Sequence, residues 1–372
     1  MKKWPFIVVI GFVTVGIAAW WLQERKPAAA PPPRPSYVDT VLSRMSLRDK
    51  IASLLIMNIK GTDPAVLASF VTANKLGGFI LMGPNIPGTD AALRRETAAL
   101  RGDDERLPRL VATDEEGGTV KRLPGDSYAS ALTLKNQPVA STAKAFANRS
   151  ALVRSVGITL NFGVVADMTA NRDSFIYDRV LGTTPGAAAD RVAAAVQASK
   201  GMTLTTLKHF PGHGETAEDS HQVIPSIPLS YDVWAARDAP PFEAGIATGA
   251  DVVMMGHLRY DAVDTMPASL SKKWHDILRD KLKFNGVVVT DAMGMLQASG
   301  DPAYASAVRN AVLALQAGST MLLYATDPLQ NPTVLIDGIE AAVKKGDVTE
   351  ALVTRNARAA LELRAKSAAF LR

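Results

Sequence analysis

Three of the chain's five histidines fall within residues 208–221 (KHFPGHGETAEDSH), a run that gathers Lys208, His209, His213, Asp219 and His221. Pro211, Gly212 and Gly214 interrupt any helix there, so the pattern of two zinc-binding histidines one helical turn apart does not apply. Within Asp219-Ser220-His221, residues i and i+2 of an extended or looped segment point the same way. The Asp219 carboxylate can therefore hold one imidazole nitrogen of His221 and fix its tautomer. Such a pair is a proton carrier suited to neutral pH. A loop metal site built from His209, His213 and Asp219 or His221 fits the same spacing, and so does a histidine-rich loop with a purely structural role. Covalent chemistry would need a rigid nucleophile beside the proton carrier. Asp291, ending the apolar run 286–290 (GVVVT), is the natural candidate.

The elements that must position these residues repeat along the chain. Short β-branched or apolar runs occur at 54–59, 78–82, 109–113, 158–165, 203–208, 252–256, 286–290 and 320–324. Alanine-rich stretches of helical period, such as 140–156, 186–200 and 302–316, lie between them. Eight alternations in one chain predict an α/β fold, a (β/α)8 TIM barrel forming a single catalytic domain. A doubly wound open sheet is the fallback, but no Gly-rich fingerprint follows the first strand. In a barrel, chemistry gathers at the C-terminal ends of the strands. Asp114, Asp167, Lys208, His209, His257 and Asp291 all fall at such ends, where a helix-capping or loop-bonding role is the alternative for each.

Composition narrows the remaining classes. The 372 residues are 47% hydrophobic and 21% charged, which excludes a disordered chain. The absence of cysteine excludes disulfides, a thiol nucleophile, thiolate zinc sites and a lipidated N-terminal Cys. The net charge of +5 is concentrated at the N-terminus, since residues 1–36 carry five basic side chains against Glu24. The rest holds 36 basic against 35 acidic side chains, so nucleic acid is not an expected partner. Behind Lys2 and Lys3, the uncharged stretch 4–22 is long enough for a transmembrane anchor helix, with a cleavable signal peptide as the competing reading. Residues 27–36 (PAAAPPPRPS) predict a polyproline spacer reaching about 30 Å. The expected organisation is an anchor or signal segment at 1–26, a Pro-rich linker at 27–36 and a catalytic barrel at 37–372. The barrel is expected outside the cytoplasm, membrane-held or secreted according to whether the segment is retained.

KHFPGHG at 208–214, DSH at 219–221 and VVVTDAMGM at 287–295 together resemble family 3 glycoside hydrolases of the β-N-acetylglucosaminidase (NagZ-like) type. Further matches are GGFILM at 77–82, DEEGGTVKRLPG at 114–125, YDRVLG at 177–182, MPASLS at 266–271 and LRDKLKFNGVVVTD at 278–291, so the resemblance spans about residues 40–365. It implies an exo-acting enzyme that removes terminal N-acetylglucosamine from peptidoglycan-derived glycans by a retaining double displacement, needing no cofactor or metal and working as a monomer. Asp291 would be the nucleophile and His221, paired with Asp219, the general acid/base. Asp114, Arg122, Arg179, Lys208 and His209 would bind the terminal sugar, while His213 shapes the loop or touches substrate. A neutral base beside the nucleophile adds no second negative charge, unlike the usual pair of carboxylates. The family usually reads DQEGGRVQR, whereas Glu115 and Thr119 stand in this chain where it has Gln and Arg. Three other functions fit the same motifs: a glycan-binding barrel without turnover, a phosphorylase that transfers the sugar to phosphate, and a β-glucosidase.

Overall fold

The computed structural model describes residues 1–2, 36–325 and 331–371. The anchor expected at 4–22 and the spacer up to residue 35 lie outside the described residues. Among those that are described, no helix is long and apolar enough to cross a membrane.

Eight parallel strands close into a barrel in sequence order: β1 (Leu55–Met57), β2 (Gly78–Leu81), β3 (Leu110–Thr113), β4 (Leu160–Val165), β5 (Leu204–Phe210), β6 (Val252–Met255), β7 (Val287–Ala292) and β8 (Met321–Tyr324). β1 seals onto β8 through Leu55 against Leu322 and Met57 against Tyr324. Every expected strand is present. Two run farther toward the rim than the expected runs: β5 continues past Lys208 through His209 to Phe210, and β7 continues through Asp291 to Ala292. The barrel register slips at these same places, between Leu207 and Phe210 and between Val289 and Ala292. Such irregularities re-aim side chains. Here they carry Lys208, His209 and Asp291.

The intervening helices follow their caps. Thr184 accepts a hydrogen bond from Ala187 N–H and opens Pro185–Ser199. The stretch expected as one helix at 302–316 is split. Asp301 caps a short 3-10 turn, Pro302–Tyr304, and Ser306 then accepts from Arg309 N–H to start Ala307–Ala317. Local side-chain capping overrides the apolar period there.

Outside β5, the rings of Phe210, Trp234, Phe242 and Trp274 meet edge to face, with centroids 4.9 to 5.9 Å apart. This cluster also fixes the loop that leaves β5. Trp234 Nε1–H donates to the Pro211 carbonyl at 2.8 Å, and Tyr260 O–H donates to that of Gly212 at 2.7 Å. A side chain at Gly214 would collide with the Met168 carbonyl, so the loop can pass this close only as glycine. The base of the histidine loop is thereby locked.

Candidate active site

Asp114, the residue after β3, begins a chain of buried charges. Lys208 Nζ lies 2.7 Å from Asp114 Oδ1 and 2.7 Å from Glu116 Oε1. Arg179, on the turn Tyr177–Arg179, grips Glu116 with two bonds, Nε to Oε2 at 2.8 Å and Nη2 to Oε1 at 2.7 Å. Arg122 completes the group, Nη2 standing 3.7 Å from Asp114 Oδ2. Its buried Nε–H has no partner among the described residues, a donor left for whatever enters. Burial alone would lower the Lys208 ammonium, but Asp114 and Glu116 outweigh it and hold the group above its ordinary value. Burial likewise works against the Glu116 carboxylate, and Lys208 and Arg179 hold it far below the usual range.

His209 and His213 are set by one carboxylate. Asp167 accepts from His209 Nδ1 at 2.7 Å and from the His213 backbone N–H at 2.8 Å. His209 therefore turns Nε2 toward Arg179 Nη2, 3.4 Å away. His213 is buried with Nε2 3.0 Å from Ser220 Oγ. Desolvation, then the nearby His209, lowers the His213 imidazole to about 4, so it is neutral at pH 7. Its first task is holding the loop.

The expected pairing at 219–221 is present. Asp219 Oδ1 accepts from His221 Nδ1 at 2.7 Å and from the His221 backbone N–H at 2.9 Å. Ser220, between them, points the opposite way to His213, as alternation requires. Although its partial burial acts to raise it, the Asp219 carboxyl is held below the ordinary range by these bonds from His221. Nδ1 thus keeps its hydrogen on Asp219, and Nε2 is the position that exchanges a proton. The His221 side chain is 56% exposed, flanked by Phe175 with ring centroids 6.0 Å apart.

Asp291 lies in β7, with Oδ1 accepting from Ala292 N–H at 2.7 Å. Burial favours its neutral form, but His209, His257, that N–H and His221 outweigh burial and keep it ionised. His257 holds the neighbouring backbone: Nε2–H donates to the Ala292 carbonyl at 3.0 Å, which leaves Nδ1 to accept from Ser269 O–H at 2.6 Å.

Asp291, His221, Asp114, Arg122, Arg179, Lys208, His209 and His213 line one cavity of about 170 Å³, together with Glu116 and Phe175. Asp219 stands behind His221. An ionised carboxylate, an imidazole with a free nitrogen and a rim of paired charges thus face one small space, the size of a single polar ring. Among the described residues no group of three His, Asp or Glu side chains is arranged to hold a metal. In the histidine loop Asp167 holds His209 Nδ1, Ser220 holds His213 Nε2 and Asp219 holds His221 Nδ1.

Residues 46–363 match the N-terminal domain of glycosyl hydrolase family 3. The chain belongs to this family. It is a glycoside hydrolase. A β-hexosaminidase of Xanthomonas campestris is 32% identical over 320 residues, covering 83% of this chain and 93% of that protein. A family 3 β-N-acetylglucosaminidase from Paenibacillus superposes with a TM-score of 0.78 at 28% identity, covering 87% of this chain, which spans 63% of that one. A β-N-acetylhexosaminidase of Beutenbergia cavernae gives 0.74 at 27% identity, covering 86% of this chain and 98% of that one.

Three participants of this family 3 site escaped the sequence reading. Glu116 stands two residues after Asp114, but only the fold shows that it collects both Lys208 and Arg179. Phe175 lies on a loop with no pattern to mark it. Asp167 is, in sequence, only a polar residue at a strand end, and its grip on His209 and His213 is tertiary. Thr119 is exposed on the turn after Gly118, whereas Glu115 is fully buried.

Proposed function

We propose that this chain is an exo-β-N-acetylglucosaminidase acting with retention on terminal N-acetylglucosamine of peptidoglycan-derived glycans. The observation that carries the reading is the ionised Asp291 in the same cavity as His221, whose Nδ1 is held by Asp219 at 2.7 Å. In the first step an Asp291 oxygen attacks the anomeric carbon as the bond to the aglycone oxygen breaks. Protonated His221 gives that oxygen its proton from Nε2. In the second step neutral His221 takes a proton from water, the water oxygen bonds to the anomeric carbon, and Asp291 leaves as carboxylate. Asp114, Lys208 and His209 would accept and donate hydrogen bonds to sugar hydroxyls, with Arg122 Nε–H a free donor and Arg179 anchored by Glu116.

The small cavity fits one terminal sugar, in keeping with exo action. A tether at 4–22 and a proline spacer would hold the barrel outside the cytoplasm, acting as a monomer near its glycan. A slow fluorinated N-acetylglucosaminide tests the assignment: mass analysis should find a stable adduct on the peptide containing Asp291. An adduct elsewhere overturns it. Turnover of an N-acetylglucosaminide but not a β-glucoside, at a rate independent of phosphate, is expected. A rate that rises with phosphate makes the enzyme a phosphorylase.

A further inference from the structure

Glu115 is fully buried beside the sugar-binding charges, and its backbone is clamped on both sides. Its N–H donates to Asn161 Oδ1 at 3.0 Å, and its carbonyl accepts from Asn161 Nδ2 at 2.9 Å. The side chain then reaches across the glycine turn that follows. Oε2 accepts from the backbone N–H groups of Arg122 and Leu123 at 2.8 and 2.9 Å, pinning the segment on which Arg122 stands. Among the described residues, Oε1 meets no donor.

The side chain next to it is another carboxyl, that of Asp126. Asp126 is itself committed: it accepts from Arg149 Nε at 2.6 Å and from Tyr128 N–H at 3.0 Å, and the Arg149–Asp126 pair is fully buried. The guanidinium of Arg149 is therefore given to Asp126, and no ion pair reaches Glu115. The other charges of the region are taken elsewhere. Lys121 Nζ bonds the Asp126 backbone carbonyl, Arg122 extends toward Asp114, and Glu116 neutralises Lys208 and Arg179. A Glu115 carboxylate would be an unpaired charge out of reach of water. An oxygen without a donor beside an acceptor is satisfied when it carries the hydrogen itself.

We propose that Glu115 works as a neutral carboxylic acid that positions Arg122, so that the enzyme loses its grip on the sugar as the solution turns alkaline and Glu115 ionises. The inference rests on the glycosidase reading only for what Arg122 holds. Burial, and then Asp126, raise the Glu115 carboxyl to about 7, in the range where such a change would be felt. The sign follows from proton counting. Between the ordinary carboxylate value and about 7 the folded chain keeps a proton that the unfolded chain has lost. The stability this confers is complete on the acid side and disappears as pH rises through about 7.

Glu115→Gln is the decisive variant, because an amide has the same shape, accepts the same two N–H bonds, donates to Asp126 and never ionises. The wild-type KM for a chromogenic N-acetylglucosaminide should climb by up to tenfold per pH unit above about pH 7, and this limb should vanish in Glu115→Gln. Glu115→Ala, which releases Arg122, should raise KM at every pH. Two readouts need no substrate: the melting temperature of Glu115→Gln relative to wild type should rise between pH 5 and 8, and wild type at pH 6 should show a carboxylic-acid C=O infrared band that Glu115→Gln lacks. The inference is overturned by an unchanged KM limb in Glu115→Gln, by a melting difference independent of pH, by the absence of that band, or by a Glu115→Gln chain that cannot fold. The last two readouts stand even if the protein proves inactive on every glycoside.

Discussion

The two ends of the cavity are built in opposite ways. At the end proposed to hold the sugar, Lys208 and Glu116 are nearly inaccessible and every charge has a partner at salt-bridge distance, on elements that belong to the barrel or grip it. At the end proposed to transfer the proton, the Asp219–His221 pair sits on a loop, with 30% and 56% of its side chains exposed. The difference follows from the tasks. Recognition of hydroxyls gains from groups whose orientation costs nothing at the moment of binding, because burial and pairing have already fixed them. A group that hands a proton to a leaving aglycone, and later takes one from water, must remain open to both. Asp291 joins the ends, as rigid as the strand that carries it and as reactive as its ionised state allows.

The contrast can be broken at three places. Asp291→Ala should have the largest effect, lowering kcat by roughly 10⁴-fold or more with the fold intact. Steady-state assays of a protein with a native circular dichroism spectrum check this. His221→Ala should lower kcat by about 10² to 10⁴-fold on a poor leaving group, and far less on an acidic phenol that needs no proton. Equal losses on both substrates would mean that His221 is not the acid. Glu116→Gln attacks the rigid end, leaving Lys208 and Arg179 without their shared anion. A loss of about 3 kcal/mol, roughly 100-fold in kcat/KM, is expected, expressed chiefly in KM rather than kcat.

The smallest effect concerns stability alone. His275 is buried far from this chemistry, bonded to the Ser271 carbonyl and Ser319 Oγ, and desolvation lowers its imidazole from 6.5 to about 4. As pH falls from 6.5 toward 4 the unfolded chain takes up a proton that the folded one refuses, so stability is lost in that window by up to about 3 kcal/mol. Melting curves of His275→Gln should lose that part of the acid sensitivity while turnover at pH 7 is untouched.

Much of this could be read from the row of residues. Each barrel strand is a short apolar run, because a strand covered by helices on one side and packed within a barrel on the other has no polar face to reveal. The Asp219–His221 pair was legible because its geometry spans two residues and needs no distant partner. Strand ends were less legible. Lys208, His209 and Asp291 interrupt the apolar pattern, yet the ladder carries them with a slipped register. The setting of the histidine loop could be weighed only with the fold present, since Asp167, 42 residues before His209, is the group that orients the His209 ring.

The sequence by itself determined the number and order of strands, the break at Pro211-Gly212, the local proton-carrying pair and the kinship those motifs declare. All of these depend on period, backbone freedom or neighbours a few residues apart. Only the tertiary structure decided that Glu116 would be the anion between Lys208 and Arg179, that His257 would brace the residue after Asp291, and that Glu115 would face Asp126. Each decision depends on groups that only the fold brings together, and in the low dielectric between them partner and distance, not residue type, set the charge.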